Sequence, residues 1–310
     1  MATQLRNHLA MLELAVAAGA TSPDPGGKSI IWSTTESAYL GWTGSSWEVL
    51  AVGSGGTVES DVTVVQSVAD PGASGTANVL SFGSDVTVGN VIVVTAAAFV
   101  APGNTPSVFA TGDLTKTGGT ATFTDLTLDV QHARTSTNEE RAVIFSAVVT
   151  GSGSLELTLA AQTGDYSNAV AYEVTGLDTT AARVADTTTA DGAGSGGSLL
   201  MSAGLLSSSG KGFMVGMFGC YTSGTSTWSH DGAFTAPSGG EEGNAAYNAS
   251  ASIYRLLTAA TTDAPEATDS DVQTPGWTAV GAVYKAAVTG SGGGSGGLTQ
   301  PQVLARGLGA

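Results

Sequence analysis

Residues 86–100 read VTVGNVIVVTAAAFV, the longest apolar and β-prone run of the chain. The run is too short to cross a bilayer as a helix. Its Val and Ile content suits a strand buried on both faces. Around it, strand signals recur between turn clusters, near 61–68, 77–82, 121–131, 141–150 and 154–160, then near 168–175, 198–205, 211–221, 251–259 and 276–286. Several alternate. Leu155, Leu157 and Leu159 face one side against Glu156 and Thr158, and Val170, Tyr172 and Val174 line up in the same way. No helix-period segment of useful length interrupts them. The sequence predicts a mainly β protein with a large antiparallel β-sandwich or jelly-roll domain over 58–287.

An internal echo runs through this region. Gly89–Phe99, Arg141–Leu159 and Asn168–Gly176 form a series of apolar strand, long hairpin and closing apolar strand. Lys211–Tyr221, Ser252–Val272 and Gly276–Ala286 form a similar one. Two similar halves fit the two sheets of one sandwich.

Upstream, residues 1–20 read as a short amphipathic helix. Leu5, Leu9, Leu12 and Val16 are spaced four, three and four, with Thr3 as N-cap and Gly19 as stop. A helix this short is marginal alone, so its seam is expected to meet copies of itself or another protein. After the linker TSPDPGGK (21–28), residues 29–52 form a small aromatic β-unit, with strands near 29–33, 38–42 and 46–51. Trp32, Tyr39, Trp42 and Trp47 crowd into it. A piece this small is not stable by itself, so its aromatic face is expected in a subunit interface, with a sugar-stacking platform as the alternative. GSGGT (53–57) is a flexible joint. Residues 288–310 carry a Gly/Ser linker and then LTQPQVLARGLGA. That tail is either a docking peptide using Leu298, Val303, Leu304 and Leu308 or a disordered terminus.

Charged residues make up 12% of the chain, and the formal net charge is -16. The charged share is about half the usual one, and Gly, Ser, Thr and Ala take its place, as on extracellular and virion surfaces. An acidic balance argues against nucleic acid as a partner. Cys220, the single cysteine, cannot close an intrachain disulfide and sits in an apolar run as a core residue. The N-terminus lacks the secretory pattern and no run reaches a transmembrane length. Action outside a cell would then imply release by lysis, inside a virion.

Catalytic patterns are weak. His8, His132 and His230 are scattered without metal-ligand spacing, so no zinc site is expected. Ser229, His230 and Asp231 are contiguous and cannot point at one another as a triad, and no G-x-S-x-G elbow occurs. Glycoside hydrolysis needs two carboxylates across a cleft. The candidates are Asp125, Asp129, Glu139, Glu140, Glu173, Glu241 and Glu242. Glu173, in an alternating strand, is the best placed, and a strand face open to solvent explains it equally. Glu241 and Glu242, in the loop 238–244, read as solvated. The Asp-rich loop 263–271 offers oxygens to calcium, but no Asp-x-Asp-x-Asp-Gly loop occurs and no site is assigned. The expectation is a protein that is not an enzyme and holds no cofactor.

The stretch Trp32–Leu50, W-x-T-T-x-S-x-Y-L-G-W-T-G-S-S-W-E-V-L, resembles short modules that end the virion-attachment region of phage tail-fibre and related virion proteins. VGNVIVV (88–94), YEVTGL (172–177) followed by Asp186, and a final strand with Trp277 are similar to a β-sandwich module of phage and bacterial surface proteins. The tail 298–310 resembles the C-terminal ends of some phage fibre and tail proteins. The resemblance implies a homotrimeric virion protein of the tail-fibre, tail-tip or head-spike type. Leu5, Leu9, Leu12, Val16, Trp32, Trp42 and Trp47 would attach and trimerise it. The β-domain would meet a host-surface glycan through the loops 100–120, 132–140, 222–250 and 260–275, with Tyr221, Trp228, His230 and Tyr247 as candidate contacts. The alternatives are a purely structural head-fibre, decoration or tail component binding only other virion proteins, and a polysaccharide depolymerase.

Overall fold

The computed structural model describes residues 30–33, 38–42, 47–52, 58–72, 75–100, 108–134, 140–161, 165–243, 248–273 and 276–289. The helix expected over 1–20, with Leu5, Leu9, Leu12 and Val16, lies outside them, as do Tyr247 and the peptide 298–310. The chain divides into two compact units, 1–58 with 288–310, and 59–287. In the first, β1 (Ile30–Ser33), β2 (Ala38–Trp42) and β3 (Trp47–Val52) form an antiparallel sheet in that order. Its register sets Trp32 opposite Tyr39 and Trp42 opposite Trp47. The short strands β4 (Val58–Glu59) and β24 (Val288–Thr289) pair with each other.

The second unit is antiparallel β, and its one helical segment among the described residues is the 3-10 turn Thr111–Asp113. It contains the same arrangement twice. In the first half β5 (Thr63–Asp70), β13 (Asp165–Thr175), β7 (Val91–Val100), β11 (Glu140–Gly151) and β10 (Thr127–Ala133) lie side by side in that order, with β9 (Thr122–Phe123) on the end of β11. A smaller sheet runs β6 (Asn78–Ser81), β12 (Glu156–Leu159), β8 (Leu114–Gly118). In the second half the large sheet runs β14 (Val184–Ala193), β23 (Gly276–Lys285), β17 (Gly212–Cys220), β20 (Ala249–Leu257), β19 (Glu241–Gly243). The smaller one runs β15 (Gly197–Ser202), β22 (Glu266–Val272), β18 (Trp228–His230), and β16 (Leu206–Ser208) pairs with β21 (Thr261–Asp263). In each half the opening strand takes the edge of the large sheet and the closing strand returns beside it.

Three cores follow from this layout. Leu80, Ile92, Val94, Phe145 and Leu157 fill the space between the two sheets of the first half. Met201, Met214, Phe218, Ile253 and Val283 do so in the second. The two large sheets then pack face to face through Val93, Ile144, Tyr172, Phe213, Val215 and Tyr284. Tyr172, Phe213 and Tyr254 meet at ring distances of 5.5–5.6 Å at the centre of this seam. Aromatic contacts of this kind add about 0.5–1.5 kcal/mol each to the burial itself. β7 is therefore covered on both faces: Val91 and Val93 point into the seam, Ile92 and Val94 toward the small sheet. That is why its sequence does not alternate.

The expectation that the echo marks two sheets of one sandwich is met in part: the large sheets, one from each half, pack face to face, and each also carries a smaller sheet on its other face. The apolar run also pairs later than its composition suggests. Ladder pairing starts at Val91, Val86 forms an isolated bridge to Gly153, and Gly89 turns the chain at φ 85.

Strand direction gives the second unit two poles. Its first and last residues meet at the base, where the Ser60 N–H donates to the Ala287 carbonyl at 2.8 Å. The strand ends that flank 71–77, 101–113, 134–139 and 160–164 in the first half all lie at the opposite, far pole. So do those that flank 194–196, 221–227, 244–248 and 273–275 in the second. Of the loops expected from sequence, 222–250 contains β18 and β19, and 260–275 is mostly β21 and β22. The Asp-rich stretch 263–271 is thus strand rather than an ion-binding loop, and Asp269 on it is fully buried.

Candidate functional site

Glu173, the best-placed acid by sequence, is buried rather than exposed. It sits near the base, where one oxygen accepts from the Thr87 N–H at 2.7 Å and Asn90 Nδ2 at 2.6 Å, and the other from Gln66 Nε2 at 2.7 Å. The carboxylate holds the turn before β7 against β13 and β5. All the partners named are protein groups, so this acid is a clamp.

The remaining carboxylates do not converge on it. Asp129 accepts from the Tyr284 hydroxyl at 2.6 Å across the seam. Burial pushes its carboxyl up, while Ser146, Tyr284 and the Arg183 charge pull it partly back. Arg183 reaches the same region, donating to Ser146 Oγ at 2.9 Å and Thr127 Oγ1 at 3.2 Å. Glu241 and Glu242 lie on edge strand β19, half-buried rather than in an open loop. Glu139 is outside the described residues. Among the described residues no three His, Cys, Asp or Glu side chains gather as a metal site, and no helix is long and apolar enough to cross a membrane. Cys220 is buried, and burial, with the charges of Asp269 and Glu140 nearby, pushes its thiol well up.

The aromatic candidates divide. Tyr221 stacks on Phe99 with centroids 5.1 Å apart, closing the seam where the central strands of the two halves end. Beside it, a Cβ on Gly219 would come within 2.9 Å of the Ala97 Cβ, so the sheets approach there as closely as a glycine allows. Trp228 is half-buried, and its indole N–H donates to the Glu242 carbonyl at 3.1 Å. His230 faces Glu241 at 3.6 Å. Trp228 and His230 are thus gathered at one edge of the second half, pinned between β18 and β19, while Tyr221 belongs to the seam.

A denser polar site, of which sequence reasoning singled out only the loop 132–140 and Glu140, occupies the seam at the far pole. His132 and Arg134 continue the inward face of β10 begun by Val130, so charge replaces apolar residues on a buried face. That alternation was the available signal. His132 Nε2 stands 3.7 Å from Asp191 Oδ2 on β14 of the other half. Arg134 Nη1 stands 3.9 Å from Glu140 Oε2. Both separations exceed hydrogen-bond length. Thr278 of β23 lies on the same inward face, fully buried. His132 Nε2, Arg134 Nη1 and the Thr278 hydroxyl are buried without a hydrogen-bond partner. Such atoms cost about 1–3 kcal/mol each if left unmet.

On the other side of the Phe99–Tyr221 stack most of the polar groups are met internally, Asn168 Oδ1 being buried without a partner. Thr95 and Tyr172 bond to Ser252 at 2.8 and 2.6 Å, and Asn168 Nδ2 donates to Ser250 at 2.7 Å. The chain matches no protein-family model, and no curated protein matches it either.

Proposed function

We propose that the chain is a phage virion protein of the tail-fibre, tail-tip or spike type that displays its 59–287 unit to recognise a host-surface glycan without catalysis. The observation that carries this reading is polar. Chain entry and exit of this unit meet at the base, one hydrogen bond apart, and the strand ends flanking eight connections, four from each half, lie at the far pole. A body entered and left at one end, with its loop-bearing strand ends at the other, is the layout of a presented binding module. The resemblance of 32–50 to modules that end a virion-attachment region, and of 298–310 to the C-terminal ends of some phage fibre and tail proteins, supplies the context. The best-placed acid, Glu173, is consumed by structural hydrogen bonds, which weighs against a depolymerase. Self-association through Leu5, Leu9, Leu12 and Val16 and the Trp-rich sheet would raise avidity for a repetitive surface.

The test is binding of the labelled full-length chain to host cells and to purified host polysaccharide. Cell binding that free polysaccharide competes away supports the reading. Saturating chain with no binding to any host surface refutes it and leaves a building block that touches only other virion proteins. Release of reducing ends from the polysaccharide would make it an enzyme. Light scattering checks the trimer: the full chain is expected at three times the monomer mass, and a monomer would refute that part.

A further inference from the structure

We propose that the outer edge of β14 takes up an extended, basic segment of a second protein as an added strand. The proposal stands apart from the glycan reading. β14 ends its sheet and pairs with β23 on one side only. A free edge presents a row of unpaired N–H and C=O groups, a template for another strand, and proteins blunt such edges with bulges, shortness, proline or lysine. The other edges of the 59–287 unit are blunted in this way. β5 bulges at Val65, β10 at Asp129 and β8 at Thr117, and the register of β15 slips between Gly197 and Leu199. β19 has three residues, and β6, β9, β16, β18 and β21 have two to four.

β14 departs from them. Its register with β23 slips once, between Val184 and Asp186, and then runs unbroken from Asp186 to Ala193. The stretch has no proline and no lysine. Every second residue from Ala185 is exposed and none is buried. The Thr187 N–H turns to the Asp186 carboxylate at 3.0 Å. Beyond it, among the described residues, the backbone of Thr188–Ala193 bonds to nothing but β23. His132 meets Asp191 through its side chain from across the seam, which leaves that backbone edge clear.

Charge selects the occupant. Asp186 and Asp191 are the charged groups of the strand, and their odd spacing sets them on opposite faces. A strand entering antiparallel places a side chain opposite each, with Cβ atoms about 4.5–5.5 Å apart. Lys or Arg at those two places, five residues apart, meets both carboxylates, and β-branched residues between them pack along Thr187, Thr188 and Thr189. A second copy of β14 would instead bring two more aspartates and no cation, from a chain whose net charge is -16. The edge therefore fits a different, basic chain. In such strand addition the main-chain bonds supply affinity and the alternate side chains supply selectivity.

The probe is a capped peptide, Thr-Lys-Thr-Val-Thr-Val-Lys-Thr, with a second version carrying Glu for both Lys. The assay is residue-by-residue amide hydrogen exchange on the full chain. In the free chain, alternate amides of 188–193 are expected to exchange fast and those bonded to β23 slowly. Peptide at ten times its dissociation constant is expected to slow the fast set about tenfold. The Glu version is expected to bind roughly tenfold more weakly, and Asp191→Asn to weaken the Lys peptide about threefold. The slow amides of β14 report that this variant is folded. Methylating the peptide's alternate backbone nitrogens is expected to block binding in one phase and to spare it in the other.

No slowing along β14 at about 1 mM peptide overturns the proposal, as does slowing confined to β5, β10 or β19. Equal binding of the Lys and Glu versions overturns the basic partner. Protection of the outer amides that grows with protein concentration in the free chain shows a second copy on the edge instead. Protection at every concentration shows that the chain's own residues fill it.

Discussion

Replacing Glu173 by glutamine separates a structural acid from a catalytic one. The wild-type carboxylate receives three donors: Thr87 N–H and Asn90 Nδ2 on one oxygen, Gln66 Nε2 on the other. A glutamine offers one oxygen and one NH2 group. Whichever way it is placed, the NH2 faces a donor. Gln66 cannot resolve the conflict by flipping its own amide, because its oxygen already accepts from the Ser84 N–H at 3.2 Å and its nitrogen also donates to the Ser84 carbonyl at 3.1 Å. One hydrogen bond is therefore lost outright, and the remainder lose their charge assistance. At about 1.5–3 kcal/mol for a bond to a charged group against about 1 for a neutral one, Glu173→Gln is expected to cost roughly 2–4 kcal/mol. For a body of this size that is a fall in Tm on the order of 5–10 °C. The assay is thermal and urea unfolding of the full chain, with glycan binding measured below the transition. A Tm within 1 °C of wild type, taken as about 0.3 kcal/mol or less, would refute the clamp. So would a glycan-cleaving activity that vanishes while the Tm holds.

Other outcomes follow from neighbouring features. Because burial raises the folded-state Asp129 carboxyl above its ordinary value, its favourable contribution is full below the unfolded value and is lost as pH rises through the folded one. Asp129→Asn should therefore gain stability relative to wild type as pH climbs above the usual aspartate range, measured by urea midpoints across pH. Gly176 sits at φ 81, and a Cβ there would meet the Asp61 carbonyl at 2.0 Å. Gly176→Ala is expected to lower stability by about 2 kcal/mol or more, seen as a shifted denaturant midpoint. Cys220, buried with its thiol pushed up, should resist a thiol reagent for as long as the protein is folded and react fully in denaturant.

The sequence made some of this legible and hid the rest for physical reasons. β7 was readable because it carries apolar side chains on both faces, and β12 and the closing strand β13 because Leu157 and Leu159, and Val170, Tyr172 and Val174, alternate with polar neighbours or small ones. β14 was not. Its ten residues, VADTTTADGA, form an edge strand that never exceeds half-burial, so no apolar periodicity was needed. β22 was read as an acidic loop because its buried face is Ala267, Asp269 and Val272, and a buried aspartate imitates solvated charge. The echo between halves was visible, yet the short strands of the smaller sheets were partly hidden. Without them two stacked sandwiches look like one. The seam corner was legible only in its loop 132–140 and Glu140, because His132, Arg134 and Asp191 come from segments almost sixty residues apart and only the pairing of the halves brings them together. Its occupancy by Thr278, an ordinary strand residue, carries no mark in the sequence at all.

The meeting of Ser60 and Ala287 has a consequence beyond attachment. A body whose ends lie one hydrogen bond apart can be spliced into a surface loop of an unrelated host chain, which then continues almost as though nothing had been added. The insertion closes no long loop and disturbs no strand order in either partner. Lineages that exchange segments by recombination could pass such a cassette between scaffolds intact, altering what is recognised while leaving each scaffold's own architecture untouched.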